Sequence, residues 1–375
     1  MKRTTFKTKT LSMVMAAALA PAMAYASTDN TLDLEALIEA AQGEAPITVY
    51  APSGKIVQTA ENFTKKYDVK AVGSKVSSSA QVEMMVREYR ANNVRGDVIV
   101  TGDASATVAQ LIPMGVVETW VSPEVSADIA DYGKDPLMVY GDPAVWTYNT
   151  EVHNECPVSN IWALTDEDWS RKVALPDPLN NGSFLDWFNQ IEMHHDEAVE
   201  IAYERHYGKK LDTSKESATK AWVKALAKNS PLPTDSGSAA GDAVGAPGQT
   251  ESFIGFMSTA KYRDVAKGKV HLGICDTMSP FVGWSTPSYG VMSTKTQSPN
   301  AAKLFLHFLM TEEGISNQTV DGKVSANLSV PVHPKEASGV QNVYSQVLQY
   351  NASTGLDDFD NRQDWADLWR INFRR

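Results

Sequence analysis

Three short stretches place small hydroxyl side chains where a strand should give way to a helix. Ser53-Gly54 follows the apolar run Ile47 to Tyr50 and precedes Ile56, Ala60, Phe63 and Tyr67. Ser77-Ser78-Ser79 lies between Val69 to Val76 and the set Val82, Met85, Val86 and Tyr89. Asn181-Gly182-Ser183 follows Val173 to Leu175 and precedes Phe184, Phe188 and Ile191. A helix start exposes unpaired N–H groups and the positive end of the helix dipole, so it holds phosphate or carboxylate well. Glycine lets the backbone approach a guest, and serine adds a donor. Each stretch taken alone is more simply a helix cap. Two from adjoining strands and a third from the other half shift the balance toward an anion site. The expected phosphate contacts are Ser53, Gly54, Ser78 and Ser79, with Ser183 helping from the far half. Lys55 is expected to be solvated.

Asp235 and Glu251 sit in loops rich in Gly, Pro, Ser and Thr. Carboxylates accept hydrogen bonds from paired hydroxyls, which suits polyol recognition. Trp284, with Phe281 and Phe253, offers aromatic faces for a sugar ring. The plainer alternatives are a helix cap for Asp235, a solvated loop for Glu251 and core packing for the aromatics. Catalytic motifs fail. Ser258-Thr-Ala-Lys261 lacks its companion elements, since Lys295-Thr-Gln297 has no glycine and Ser-Asp-Asn is absent. Adjacent helical residues such as His194 and His195 diverge by about 100°, which does not suit metal ligation. No nucleophile is assembled with a base, so no catalytic residue, resident metal or cofactor is expected.

The elements that must carry these turns read as βαβαβ. Strands at Ile47–Tyr50, Val69–Val76 and Gly96–Val100 alternate with two amphipathic helices, the second opened by a Ser78/Gln81 capping box. That order predicts a parallel sheet covered on both faces, with ligands collecting at the strands' carboxyl ends. A second α/β unit starts at Val173. It continues through a helix at Glu216–Lys228, a loop at 229–237, a strand at Val270–Ile274 and the segment Ser288–Ser293. A helix at Asn300–Met310 and an acidic, aromatic tail follow. Two α/β halves facing a cleft are expected.

Residues 1–26 read as an export leader: Lys2, Arg3, Lys7 and Lys9, then an apolar core from Leu11 to Ala24, then cleavage near Ala26. Its removal leaves 30 basic residues against 45 acidic ones, so the formal charge moves from −11 to −15. Such a surface disfavours nucleic acid and anionic membrane as partners. Cys156 and Cys275 are the two cysteines; a disulfide and two separate buried thiols both remain open.

The chain resembles the extracellular solute-binding proteins of ATP-binding-cassette importers, in the cluster that contains the ferric-iron binders. Three stretches carry the resemblance: Ile47-Thr-Val-Tyr-Ala-Pro-Ser-Gly54, Gly96-Asp-Val-Ile-Val-Thr-Gly-Asp103, and the block from Ser298-Pro-Asn to Thr-Glu-Glu-Gly314. Ferric-iron binders hold their metal with neighbouring tyrosines, and no Tyr-Tyr occurs here. Glu216-Ser-Ala-Thr-Lys-Ala-Trp-Val223, Gly245-Ala-Pro-Gly-Gln-Thr-Glu251, Phe256-Met-Ser-Thr-Ala-Lys261 and Asp360-Asn-Arg-Gln-Asp-Trp365 look closer to a subgroup formerly labelled iron-binding, whose members bind hexose phosphates. The resemblance implies a two-lobed type II periplasmic binding fold, each lobe a mostly parallel sheet with flanking helices and the ligand cleft between. Crossing strands are expected near Ala144–Glu151 and Tyr289–Thr294. Lobe 1 would comprise 27–147 plus 288–320, and lobe 2 would comprise 148–287 plus 321–375. The implied role is a monomeric periplasmic receptor that closes on a sugar phosphate and delivers it to a membrane permease. Ferric iron, another small anion, a sensor role and a secreted sugar phosphatase are the alternatives.

Overall fold

The computed structural model describes Met1 and residues 33–374; the expected leader lies outside the described residues, apart from Met1. The first wing forms from α1 (Leu34–Gln42), β1 (Ile47–Ala51), α2 (Ile56–Tyr67), β2 (Ala71–Lys75), α3 (Ser78–Arg90) and β3 (Val98–Thr101). β1 pairs in parallel with both β2 and β3. Its residues alternate between two cores. Ile47, Val49 and Ala51 join one cluster with Val98 and Val100, while Tyr50 and Ile99 join another on the opposite face. This two-residue period is what a strand covered on both sides requires. The stripe Ile56, Ala60, Phe63 and Tyr67 is buried along α2. Phe63 packs 4.9 Å from Phe305 of α8 (Pro299–Leu309).

The expected capping box does not form. Ser77 is the N-cap of α3 and makes no side-chain cap bond. Gln81 is fully buried and donates instead to the Val76 and Val100 carbonyls at 3.0 and 3.3 Å, tying together the ends of β2 and β3.

After α4 (Ala104–Ala106) and β4 (Val117–Glu118), the long strand β5 (Met138–Asn149) runs out of the first wing. The second wing is built from β6 (Val173–Pro176), α5 (Gly182–Tyr207), α6 (Ala218–Lys228), β7 (Leu232–Thr234), α7 (Gly237–Gly245) and β8 (Ile254–Ser258). β7 occupies part of the stretch expected to be a loop, and it forms the sheet's edge. β9 (Leu272–Ile274) and β10 (Gly283–Ser293) follow. The strand order β2-β1-β3-β10-β5-β8-β6-β7 makes two parallel wings joined through the antiparallel pair β5 and β10. At about 3.4 Å per residue, β5 is long enough to serve both wings.

Trp146, Trp187, Phe188, Trp222, Phe256 and Phe281 fill one face of the second wing, sealed by Trp365 and Trp369 of α10 (Gly355–Asn372). Val145, Ala174, Val244 and Met257 fill the other. The molecule is therefore a two-lobed α/β fold with helices on both faces of each sheet. Cys156 and Cys275 are joined in a disulfide, with Cα atoms 5.0 Å apart. Between β10 and α10 the chain forms α9 (Glu312–Thr319), β11 (Val324–Ser325) and β12 (Val347–Gln349). No helix among the described residues is long and apolar enough to cross a membrane.

Candidate ligand-binding site

A cavity of about 440 Å³ opens where the carboxyl ends of the two parallel wings converge. One wall is Pro52 and Ser53 after β1, Ser77, Ser78 and Ser79 after β2, and Gly102 and Asp103 after β3. Facing it are Asn180 to Ser183 after β6, with Ala260 and Arg263 after β8. Tyr140 and Asp142 of β5 and Thr286 and Ser288 of β10 also line the cavity. Gln318, Asp321 and Lys323 complete it. The fold thus gathers Ser53, Ser78, Ser79 and Ser183 around one space. Gly54 is exposed and does not line the cavity.

The hydrogen bonds at these turns decide what each offers. Ser53 Oγ accepts from the Lys55 amide at 3.2 Å, and Ser78 Oγ accepts from the Gly102 amide at 3.2 Å. A hydroxyl used as an acceptor keeps its own proton for a guest. Helices α2 and α3 both start without a side-chain cap. At α2 the Ile56 and Val57 amides donate to the Ser53 and Gly54 carbonyls at 3.3 Å, whereas at α3 the amides of Ser78, Ser79 and Ala80 make no hydrogen bond among the described residues. The far wall differs. Asn181 Oδ1 accepts from both the amide and the hydroxyl of Ser183, at 3.2 and 2.7 Å. The uncommitted hydroxyl protons and first-turn amides are therefore concentrated on the first wing.

Sequence reasoning missed the ionic groups. Lys323 pairs with Asp142, and Ser258 Oγ donates to Asp142 Oδ1 at 2.9 Å while accepting from Lys323 Nζ at 3.2 Å. Arg263 Nη1 donates to Asp321 Oδ2 at 3.1 Å, and Lys55 Nζ, expected to be solvated, lies 3.7 Å from the same oxygen. Gly322, at φ +78°, makes the tight turn that sends Asp321 and Lys323 to the same cavity. A glycine between two opposite charges was the one local signal for this pair of residues. Burial raises the Tyr140 phenol above its ordinary range, against the pull of Ser288. Among the described residues no three His, Cys, Asp or Glu side chains are gathered as metal ligands.

The three residues expected to read a sugar lie elsewhere. Asp235 follows β7, the outermost strand of its wing, and is exposed; Ser236, not Asp235, caps α7 by accepting from Ala239. Glu251 is exposed and precedes β8, at the amino end of a wing whose cavity lies at the carboxyl ends. Trp284 is buried within β10, with its ring 6.0 Å from Tyr350 and no face free for a ligand. Loop composition suggested these positions, but strand order and direction decide which loops meet. In the Ser-x-x-Lys stretch, Lys261 is held by Asp242 and Asp264 at 2.7 and 3.0 Å, which leaves it no role as a base.

Comparison with known proteins matches this architecture. Iron-bound HitA from Pseudomonas aeruginosa superposes with a TM-score of 0.66 at 15% identity, covering 88% of this chain and 99% of that one. The periplasmic binding protein AfuA from Actinobacillus pleuropneumoniae, solved with exogenous fructose-6-phosphate bound, gives 0.64 at 19% identity over 87% and 99%. The ferric binding protein from Campylobacter jejuni gives 0.66 at 15% identity over 88% and 100%. At such identities the likeness is one of fold. A search of curated protein sequences returned no match. The profile described as bacterial extracellular solute-binding protein matches residues 47–317. The chain belongs to that family of bacterial extracellular solute-binding proteins.

Proposed function

We propose that this protein is the periplasmic binding component of an ATP-binding-cassette importer and that its ligand is a sugar phosphate, most simply a hexose phosphate. The observation that carries the reading is the cradle of Ser53, Ser78 and Ser79 at two uncapped helix starts. Amides, free hydroxyl protons and helix dipoles there favour a compact anion without any unpaired basic side chain. The cavity volume suits a small organic molecule rather than a bare ion. A structural neighbour solved with fructose-6-phosphate bound supports the same class.

In this reading lobe 1 comprises 27–147 plus 288–320 and lobe 2 comprises 148–287 plus 321–375, with β5 and β10 as the hinge. Closure buries the ligand and presents both lobes to a membrane permease, the energy coming from contacts made only in the closed form. The protein acts as a monomer and catalyses no reaction on its ligand. A ferric-iron role finds no comparable support. Ferric binders of the resembled cluster use neighbouring tyrosines, whereas this chain has no Tyr-Tyr and, among the described residues, Tyr140 is the one tyrosine lining the cavity.

Calorimetry on the purified protein with glucose 6-phosphate, inorganic phosphate and ferric citrate tests the reading. Binding of glucose 6-phosphate well above that of phosphate is the expected result. Binding of ferric citrate alone would overturn it, and mass spectrometry of a copurifying molecule gives an independent answer.

A further inference from the structure

With Asp235, Glu251 and Trp284 outside the cavity, the part of a ligand beyond its phosphate must meet other groups. The cavity's cations and carboxylates come as pairs. Lys323, 9% exposed, is matched to Asp142; Arg263 is matched to Asp321, itself 9% exposed. Each pair is close to electroneutral, so neither adds much attraction for a second anion. Each is also only half used. Lys323 and Ser258 both donate to Oδ1 of Asp142, which leaves Oδ2 without a donor among the described residues. Asp321 receives Arg263 and Lys55 at Oδ2, which leaves Oδ1 in the same condition. Arg263 commits one guanidinium nitrogen and retains the N–H groups of the others.

A hydroxyl group needs one acceptor for its proton and one donor for its oxygen. A cation and a carboxylate side by side, each with spare capacity, supply that combination, and two such pairs suit neighbouring hydroxyls on one carbon chain. We propose that the Lys323–Asp142 and Arg263–Asp321 pairs read the hydroxyl groups of the ligand, while the first-wing serines and amides hold its phosphate. This division rests on the sugar-phosphate reading above. It makes the ligand a phosphate ester of a polyhydroxylated chain, carrying one anionic group and several neutral hydroxyls rather than two anionic groups.

The test is calorimetry with glucose 6-phosphate, glucose 1,6-bisphosphate and inorganic phosphate, on wild type and on Lys323→Met/Asp142→Asn. The double variant removes both charges together, so no unpaired charge is stranded. Arg263→Gln/Asp321→Asn, which likewise removes both partners of its pair, is the second variant. Loss of a charge-assisted hydrogen bond corresponds to about tenfold in affinity or more. The affinity ratio of glucose 6-phosphate over inorganic phosphate is therefore expected to fall about tenfold in each variant. Wild type is expected to prefer the monophosphate to the bisphosphate. An unchanged ratio, or a preference for the bisphosphate, overturns the proposal while leaving the sugar-phosphate reading intact. Wild type that binds none of the three removes the reading beneath it, and the proposal with it.

Discussion

Arg362 of α10 donates to Asp103, at the end of the first wing's β3, across 2.7 Å. The same guanidinium grips Asp186 of α5 through Nε and Nη2, both at 2.7 Å. Burial works against its charge, but Asp186 and Asp103 outweigh that and raise its pKa. Ser105 Oγ adds a bond to Asp186 at 3.0 Å. One cation thus fixes a cavity-lining carboxylate of the first wing to two helices packed on the second. Arg362→Met should strand the buried Asp186 and cost about 3 kcal/mol or more. Chemical denaturation measures this. Arg362→Met/Asp186→Leu should recover part of the loss, because a packed apolar pair replaces the Asp186 ion pair while Asp103 keeps only the Ala106 amide as donor. Equal destabilisation of the single and double variants would show that packing, not charge, dominates there.

Ser79 is the cleanest probe of the anion cradle. Its hydroxyl makes no hydrogen bond among the described residues, whereas Ser78 Oγ also accepts from Gly102. Ser79→Ala should weaken glucose 6-phosphate binding about tenfold, the effect of one hydrogen bond to a charged group, without lowering the melting temperature. Ser78→Ala should lower both, since it also releases Gly102. Calorimetry and thermal melts on the same samples separate the two effects.

The elements were legible in the sequence because their signals are local. The stripe Ile56, Ala60, Phe63 and Tyr67 marks α2, and the serines at its foot and at that of α3 mark the cradle. The ionic half of the cavity is not local. Asp142 and Lys323 meet only because β5 passes beneath the turn after α9, and nothing in the sequence around either residue points to the other. The same limit explains Asp235 and Glu251: their loops have a suitable composition, but edge position and strand direction take them away from the convergence of the wings. Trp284 has the chemistry to stack on a sugar, and its place inside β10 removes that possibility.

Those positions become controls. Asp235→Ala and Glu251→Ala, both exposed, should leave glucose 6-phosphate affinity within about twofold and stability within about 0.5 kcal/mol. Trp284→Ala should cost about 3–5 kcal/mol through the cavity it opens in the core. A tenfold affinity loss in either carboxylate variant would mean that its loop reaches the ligand on closure.

Asp358 should make stability depend on pH in an unusual direction. Burial pushes its pKa up to about 6, against donations from Asn189 Nδ2 at 2.7 Å and Gln190 Nε2 at 2.6 Å. The folded chain therefore keeps this proton at a pH where the unfolded chain, near the ordinary value of 3.8, has lost it. The contribution is fully present below about pH 4 and is lost as the pH rises through about 6. A rise from 3.8 to about 6 corresponds to about 3 kcal/mol as an upper figure for a buried group. Asp358→Asn lacks the titration, so wild-type stability relative to the variant should fall by up to that amount between pH 4 and pH 7. Any fixed packing penalty in the variant cancels from that slope, and a difference independent of pH would show that Asp358 ionises normally in the folded protein.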